Sequence, residues 1–208
     1  MTPRAPHAFA AQWNHNTHYY PLLRAAIPET AHRVLDIGCG DGTFCRFLGD
    51  TPTRSVVGVD VDRRLMRPGD PAHYVLSSAE ALGFADATFD AVAMTMVLHH
   101  VDAETALAEA VRVLRRGGIL LVLGIGRYGG PPGLPWELRD AVAHRLHARG
   151  KQAWEPPTTK VDPVETWSQA LMTARRCLPG CSWTRLPMWR YLITWTKPDA
   201  PPHSREDT

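Results

Sequence analysis

The chain has 208 residues, with 23 basic and 21 acidic side chains well interspersed along it and a formal net charge of +2. That balance announces no nucleic-acid or anionic-membrane surface, and no stretch carries a signal-peptide pattern or about 18 apolar residues in a row. The expectation is one cytoplasmic domain with a sizeable core, monomeric or homodimeric, working on a small molecule.

The first thirty residues mix Phe9, Trp13, Tyr19, Tyr20, Leu22, Leu23 and Ile27 with Gln12, Asn14, His15, Asn16 and His18. Ordering such a set costs entropy unless it packs. Two readings stand equally. Either residues 1–30 form a helical cover whose His15, His18, Tyr19 and Tyr20 reach a ligand pocket, or they shield the edge of a sheet.

A short buried strand then ends in Asp36-Ile37, and Gly38, Gly40 and Gly42 turn it toward a helix over 43–49. Glycine tolerates positive φ and has no Cβ, so this turn lets the backbone press against a ligand. A β-branched strand over 55–59 follows and ends in Asp60, with a short helix near 63–66. Asp60 lies about one crossover helix beyond the glycines, where a carboxylate can accept from vicinal ribose hydroxyls; the alternative is a helix cap.

A weaker strand over 73–76 leads into Ser77, Ser78, Ala79 and Glu80. A strand over 89–95, apolar on both faces and ending in Thr95, is followed by His99 and His100. The best helix spans 103–116 and is closed by Gly117 and Gly118, before a strand over 119–125. This alternation predicts an α/β fold, a doubly wound Rossmann-like sheet with ligands at the carboxyl ends of its strands.

Beyond it, 126–135 reads as a glycine- and proline-rich loop, 136–149 as a helix carrying Leu138, Val142 and Leu146, 151–160 as irregular, and 163–178 as another helix. Residues 182–186 and 189–196 read as two strands broken at Pro187, and 198–208 reads as a disordered tail. His144 and His147 fall three apart on the 136–149 helix, but no acid or cysteine stands at ligand spacing; they read as a solvated face and no metal is expected. Cys39, Cys45, Cys177 and Cys181 read as buried or inert thiols.

The run 34–42, Asp60, Ala79-Glu80-Ala81-Leu82 before Phe84, Phe89-Asp90-Ala91-Val92, Leu98-His99-His100 and Arg112 to Gly118 together resemble the class I S-adenosylmethionine-dependent methyltransferases. The small single-domain group that includes ubiquinone and menaquinone biosynthesis methyltransferases is the nearest in pattern. Its motifs cover about 33–125, and the segments 13–20 and 189–195 carry the likeness to about Lys197.

The resemblance implies one domain over 1–197, with a mostly parallel seven-stranded sheet, an antiparallel C-terminal hairpin and lid helices over 126–178 that set specificity. It implies S-adenosyl-L-methionine as cofactor and S-adenosyl-L-homocysteine as product. Gly38 and Gly40 would approach the methionine part, Asp36 its ammonium, Asp60 the ribose, and Val61 the adenine. Ser78 stands where the family usually has an acid, so the adenine contacts shift among Ser78, Ala79 and Glu80; Arg116 replaces a usual proline. Thr95 completes the cofactor set.

Methyl transfer needs mainly alignment and exclusion of water, with a base where the acceptor is a phenol, alcohol or activated carbon. His99, in preference to His100, is the candidate. The alternative function is a cofactor-binding protein of the same fold with a cyclase-like or regulatory role. A nicotinamide dehydrogenase is disfavoured by Asp36 and the closing hairpin.

Overall fold

A computed structural model describes residues 12–65, 73–128, 133–158 and 161–199. The expectations for Phe9, Met66, residues 129–132, Lys160 and the tail from 200 onward lie outside these.

In order the elements are β1 (Gln12–Trp13), α1 (Tyr20–Ala26), β2 (Arg33–Ile37), α2 (Thr43–Gly49), β3 (Ser55–Asp60), β4 (His73–Leu76), β5 (Phe89–Thr95), α3 (Ala103–Val113) and β6 (Leu114–Ile125). Then come α4 (Leu134–Ala148), β7 (Gln152–Ala153), α5 (Trp167–Cys177), β8 (Ser182–Leu186) and β9 (Arg190–Thr196). Short 3-10 turns occupy Thr17–Tyr19, Arg63–Leu65 and Leu98–His100.

Seven strands form one sheet in the order β4-β3-β2-β5-β6-β9-β8. All neighbours are parallel except β9, which runs antiparallel to both β6 and β8. The chain winds outward from β2 through β3 to β4 and returns to β5 on the other side of β2. The carboxyl ends of β2 and β5 therefore diverge, which opens a crevice there.

The period-two alternation of strand side chains sorts the core into two layers. Leu35, Ile37, Val92, Met94, Leu120, Val122 and Ile193 point to the face covered by α3 and α5. Val34, Ala91, Ala93, Leu121, Leu123 and Leu192 point to the other, beneath Leu23 of α1, Phe44, Phe47 and Leu48 of α2, and the N-terminal segment. The central strands β2 and β5 are buried on both faces and so read as largely apolar runs, interrupted by the buried Asp36 and Asp90.

Three boundaries differ from the sequence reading by three residues or more. The helix over 103–116 stops at Val113, because Leu114 takes an extended ψ of 132° and pairs with Phe89. Residues 114–118 are thus the first part of β6, with a register shift between Phe89 and Ala91. Lys197 Nζ donates to the carbonyls of Val111 and Leu114, 2.7 Å each, and closes the helix end that the glycine pair was expected to terminate. The helix over 163–178 begins only at Trp167, where Thr166 and Gln169 form a reciprocal capping box.

The connection expected to be irregular over 151–160 contains β7. It pairs in parallel with β1, Gln12 opposite Gln152 and Trp13 opposite Ala153, and Trp154 N donates to Trp13 O at 2.9 Å. That second, two-stranded sheet ties the N-terminal segment to the segment before α5.

Candidate functional site

At the carboxyl ends of β2, β3 and β5 lies a cavity of ≈ 460 Å³, within the usual range for small-molecule sites. Its floor is the glycine turn. Gly38 N and Cys39 N both donate to Val59 O, at 2.8 and 2.9 Å, which folds the turn back onto β3. Gly38 has φ 68°, and a Cβ there would stand 2.4 Å from Val97 Cγ2, so only glycine fits. Gly40, φ 55°, leaves room for Thr158, whose Cγ2 would lie 2.9 Å from an added Cβ.

Asp36, on β2, is 1 % exposed yet lines the cavity. Its Oδ2 accepts from the Cys45 thiol at 3.2 Å, while Oδ1 has no partner. Burial, with the charge of Asp60 adding to it and the thiol opposing it, raises the carboxyl to about 7. The hydrogen bond with Cys39 and burial push the Cys45 thiol far above its ordinary range, so it is a donor and not a nucleophile. Gly58, paired with Asp36, makes room for both thiols: an added Cβ would meet Cys45 Sγ at 2.8 Å and Cys39 Sγ at 2.9 Å.

Asp60, at the end of β3, accepts from Gly40 N at 2.8 Å and from Asp62 N at 2.9 Å. The carboxylate therefore braces the glycine turn and keeps acceptor capacity toward the cavity, since it offers about four lone-pair sites. Val61 beside it is 70 % exposed and, with Leu65, forms an apolar wall. Ser78 and Ala79 line the same end; Ser78 Oγ accepts from Glu80 N at 3.1 Å. Thr95 lines the cavity from the end of β5 with its Oγ1 unpartnered.

Glu80 is not in the wall. It is exposed, and its Oε1 accepts from Asp102 N at 2.6 Å. An adenine contact through Glu80 is thereby removed from the expected set, because its carboxylate fastens the loop before α3.

The N-terminal candidates divide. Tyr20 and His15 line the cavity together with Asn14 and Asn16, whereas His18 and Tyr19 lie outside its wall. Tyr19 Oη donates to Pro187 O at 2.7 Å. His18 lies against His147, with ring centroids 4.5 Å apart and the planes tilted by 53°. His144, expected on a solvated face, instead shares a 2.8 Å hydrogen bond between its Nδ1 and His15 Nε2. This couples α4 to the N-terminal segment; among the described residues no group of three or more His, Cys, Asp or Glu is arranged to hold a metal ion.

His99 and His100 both line the cavity, rings 4.1 Å apart. Burial first, then the charges of His100 and Arg190, lower His99 to about 4. It is a neutral imidazole at physiological pH, able to accept a proton. His15 is lowered to about 4 by burial and then by Arg190, and His18 by burial and then by His147.

Arg190, the first residue of β9, is the wall residue the sequence reading did not single out. It is 6 % exposed and bonds Asn16 Oδ1 and Met188 O. The available signal was a cation inside the otherwise apolar run 189–195. Trp154, Glu155 and Thr158, from the segment tied down by β7, roof the cavity; nothing in their composition marked them.

These residues fit S-adenosylmethionine. The unpartnered, buried Oδ1 of Asp36 offers an acceptor for an ammonium, and the Cβ-free Gly38 and Gly40 give the close approach that its amino-acid part requires.

Residues 35–122 match the methyltransferase domain family. Over 194 residues, spanning 89 % of this chain and 98 % of the other, the chain is 33 % identical to an uncharacterized methyltransferase of Mycobacterium tuberculosis. It is 39 % identical over 107 residues to the ubiquinone/menaquinone biosynthesis C-methyltransferase UbiE of Pasteurella multocida, covering 44 % of this chain and 39 % of that one. Among solved structures, 1,6-didemethyltoxoflavin-N1-methyltransferase of Burkholderia thailandensis, with bound 1,6-didemethyltoxoflavin and S-adenosylhomocysteine, superposes with TM-score 0.61. That pair is 20 % identical and covers 88 % of this chain and 77 % of the other. With its strand order, its antiparallel closing hairpin and its full-length relative, the chain belongs to the class I S-adenosylmethionine-dependent methyltransferases.

Proposed function

We propose that the chain transfers the methyl group of S-adenosylmethionine to an oxygen, nitrogen or carbon of a small organic molecule in metabolite or natural-product biosynthesis. It would act in the cytoplasm, as a monomer or homodimer. The observation that carries this reading is one cavity holding both an acid with an unpartnered buried oxygen, Asp36, and a neutral imidazole, His99. The small-molecule acceptor of the Burkholderia neighbour supports it.

When bound, the cofactor supplies a methyl on a positively charged sulfur, an electrophile that needs no further activation. Asp36 would hold the ammonium and Asp60 the ribose hydroxyls, and Gly38 and Gly40 would admit the amino-acid part. Val61, Ser78 and Ala79 would hold the adenine, and Thr95 would help hold the cofactor. His99 receives the proton the acceptor loses, with His100 beside it, and Tyr20 and His15 shape the acceptor's side. The roof of Trp154, Glu155 and Thr158 excludes water, which lets alignment carry the rate.

The test is transfer of labelled methyl over a panel of phenols, amines and carboxylic acids, with product identified by mass. His99→Gln is expected to bind S-adenosylhomocysteine normally and to lose about 10²-fold or more in turnover. Unchanged turnover in that variant removes His99 as the base.

A further inference from the structure

The methyltransferase reading leaves the acceptor undefined beyond its size, and the wall of the cavity narrows it. We propose that Arg190 binds a carboxylate of the acceptor, so that the substrate is a small organic acid. The inference rests on the functional reading above.

Burying a guanidinium is costly unless an anion or a full set of acceptors compensates it. Arg190 is 6 % exposed and lines the cavity. Its Nε and Nη2 donate to Asn16 Oδ1 at 3.1 and 3.0 Å, and its Nη1 to Met188 O at 3.2 Å. Both partners are neutral. Those bonds use three of the five guanidinium N–H groups and leave one on each terminal nitrogen. Among the described residues no carboxylate forms an ion pair with it.

Elsewhere in the protein one buried charge is met directly by an opposite one. Asp140, 0 % exposed, accepts from Arg139 at 2.6 and 2.9 Å and from Tyr128 Oη at 2.6 Å. Arg190 is the one arginine or lysine among the described residues that lines the cavity, and its hydrogen-bond partners are all neutral. The groups whose fields reach it are the Tyr19 phenol and Glu155, an exposed residue of the roof. The two imidazoles that feel its charge, His15 and His99, are held neutral.

The result is a fixed cation in the wall of the cavity, held by Asn16 in a two-donor fork. A guanidinium in this state pairs with a planar carboxylate through parallel hydrogen bonds. A phosphate dianion ordinarily gathers more than one cation, and no second lysine or arginine lines this cavity among the described residues.

The experiment titrates the protein, with and without saturating S-adenosylhomocysteine, with benzoate, succinate and glutarate, each against its amide and against phenyl phosphate. Wild type is expected to bind at least one acid about tenfold or more tighter than its amide, the scale of one charge-assisted pair. Arg190→Met should reduce that ratio to about one. Asn16→Asp keeps the side-chain shape while placing a carboxylate on the guanidinium, and should abolish the preference even if Arg190→Met fails to fold.

No acid-over-amide preference in wild type, a preference retained in both variants, or tighter binding of phenyl phosphate than of every acid would overturn the proposal. Binding of S-adenosylhomocysteine is read separately in each protein. Its absence in wild type counts against the methyltransferase reading, whereas its presence without acid preference counts against the role of Arg190 alone.

Discussion

The Cys45 thiol donates to Asp36 Oδ2 at 3.2 Å and leaves the buried Oδ1 without a partner. One oxygen of the acid is thus anchored on α2 and the other is unpaired. With the carboxyl raised to about 7, Asp36 ionises in the physiological range.

Cofactor affinity should therefore depend on pH. Pairing with an ammonium needs the carboxylate, so binding of S-adenosylhomocysteine should strengthen from pH 6 to pH 8 as Asp36 ionises. Asp36→Asn should weaken binding by about tenfold to a hundredfold, the range for a hydrogen bond to a charged group, and flatten that profile. Calorimetric titration at several pH values checks both.

Acid should destabilise the protein in a defined window. His15, His18 and His99 have folded values near 4, below the unfolded 6.5. Between these values the unfolded chain binds more protons, so stability is fully present above 6.5 and is lost as pH falls toward 4. Asp36 acts with the opposite sign: its folded value lies above 3.8, so its contribution falls as pH rises from 3.8 through 7. Urea midpoints across pH 4 to 8 should show the histidine loss at the acid end, reduced in His15→Gln and His99→Gln.

Gly38 is held by two separate constraints, a φ of 68° and the approach of Val97. Gly38→Ala should cost about 1–3 kcal/mol from overpacking, in addition to the strain of the left-handed backbone. Adding Val97→Ala should recover the packing part and leave the backbone part. Thermal denaturation of the single and double variants separates the two; no recovery would mean that Val97 is not the obstacle.

Lys197 joins the end of β9 to the last carbonyls of α3. Lys197→Met should lower stability by about 1–3 kcal/mol, since two buried-side acceptors lose a charged donor. Hydrogen exchange should localise the loosening to 111–118 and its neighbours.

Most of the fold was legible because its signals are local. Strands β2, β3 and β5 are short apolar runs with acids or turn residues at their ends, and the glycine turn announces its own φ values. The end of α3 was misread because Leu114 to Gly118 look helical or terminal by propensity, while the deciding interactions come from Phe89 and Lys197, distant in sequence. The same holds in the site. Asp36 and Asp60 stand at strand ends, where position alone suggests a ligand. Arg190 acquires meaning only when β9 inserts beside β6 and brings Asn16 onto its guanidinium. Likewise the pairing of His15 with His144 depends on how α4 crosses the N-terminal segment, which no spacing encodes.

The most direct test of the account is calorimetric titration of the wild-type protein and of Asp60→Ala with S-adenosylhomocysteine and, separately, with NAD. The account predicts that wild type binds S-adenosylhomocysteine and not NAD, and that Asp60→Ala, folded by circular dichroism, loses most of that affinity. Binding of NAD alone, or undiminished S-adenosylhomocysteine affinity in Asp60→Ala, would contradict it.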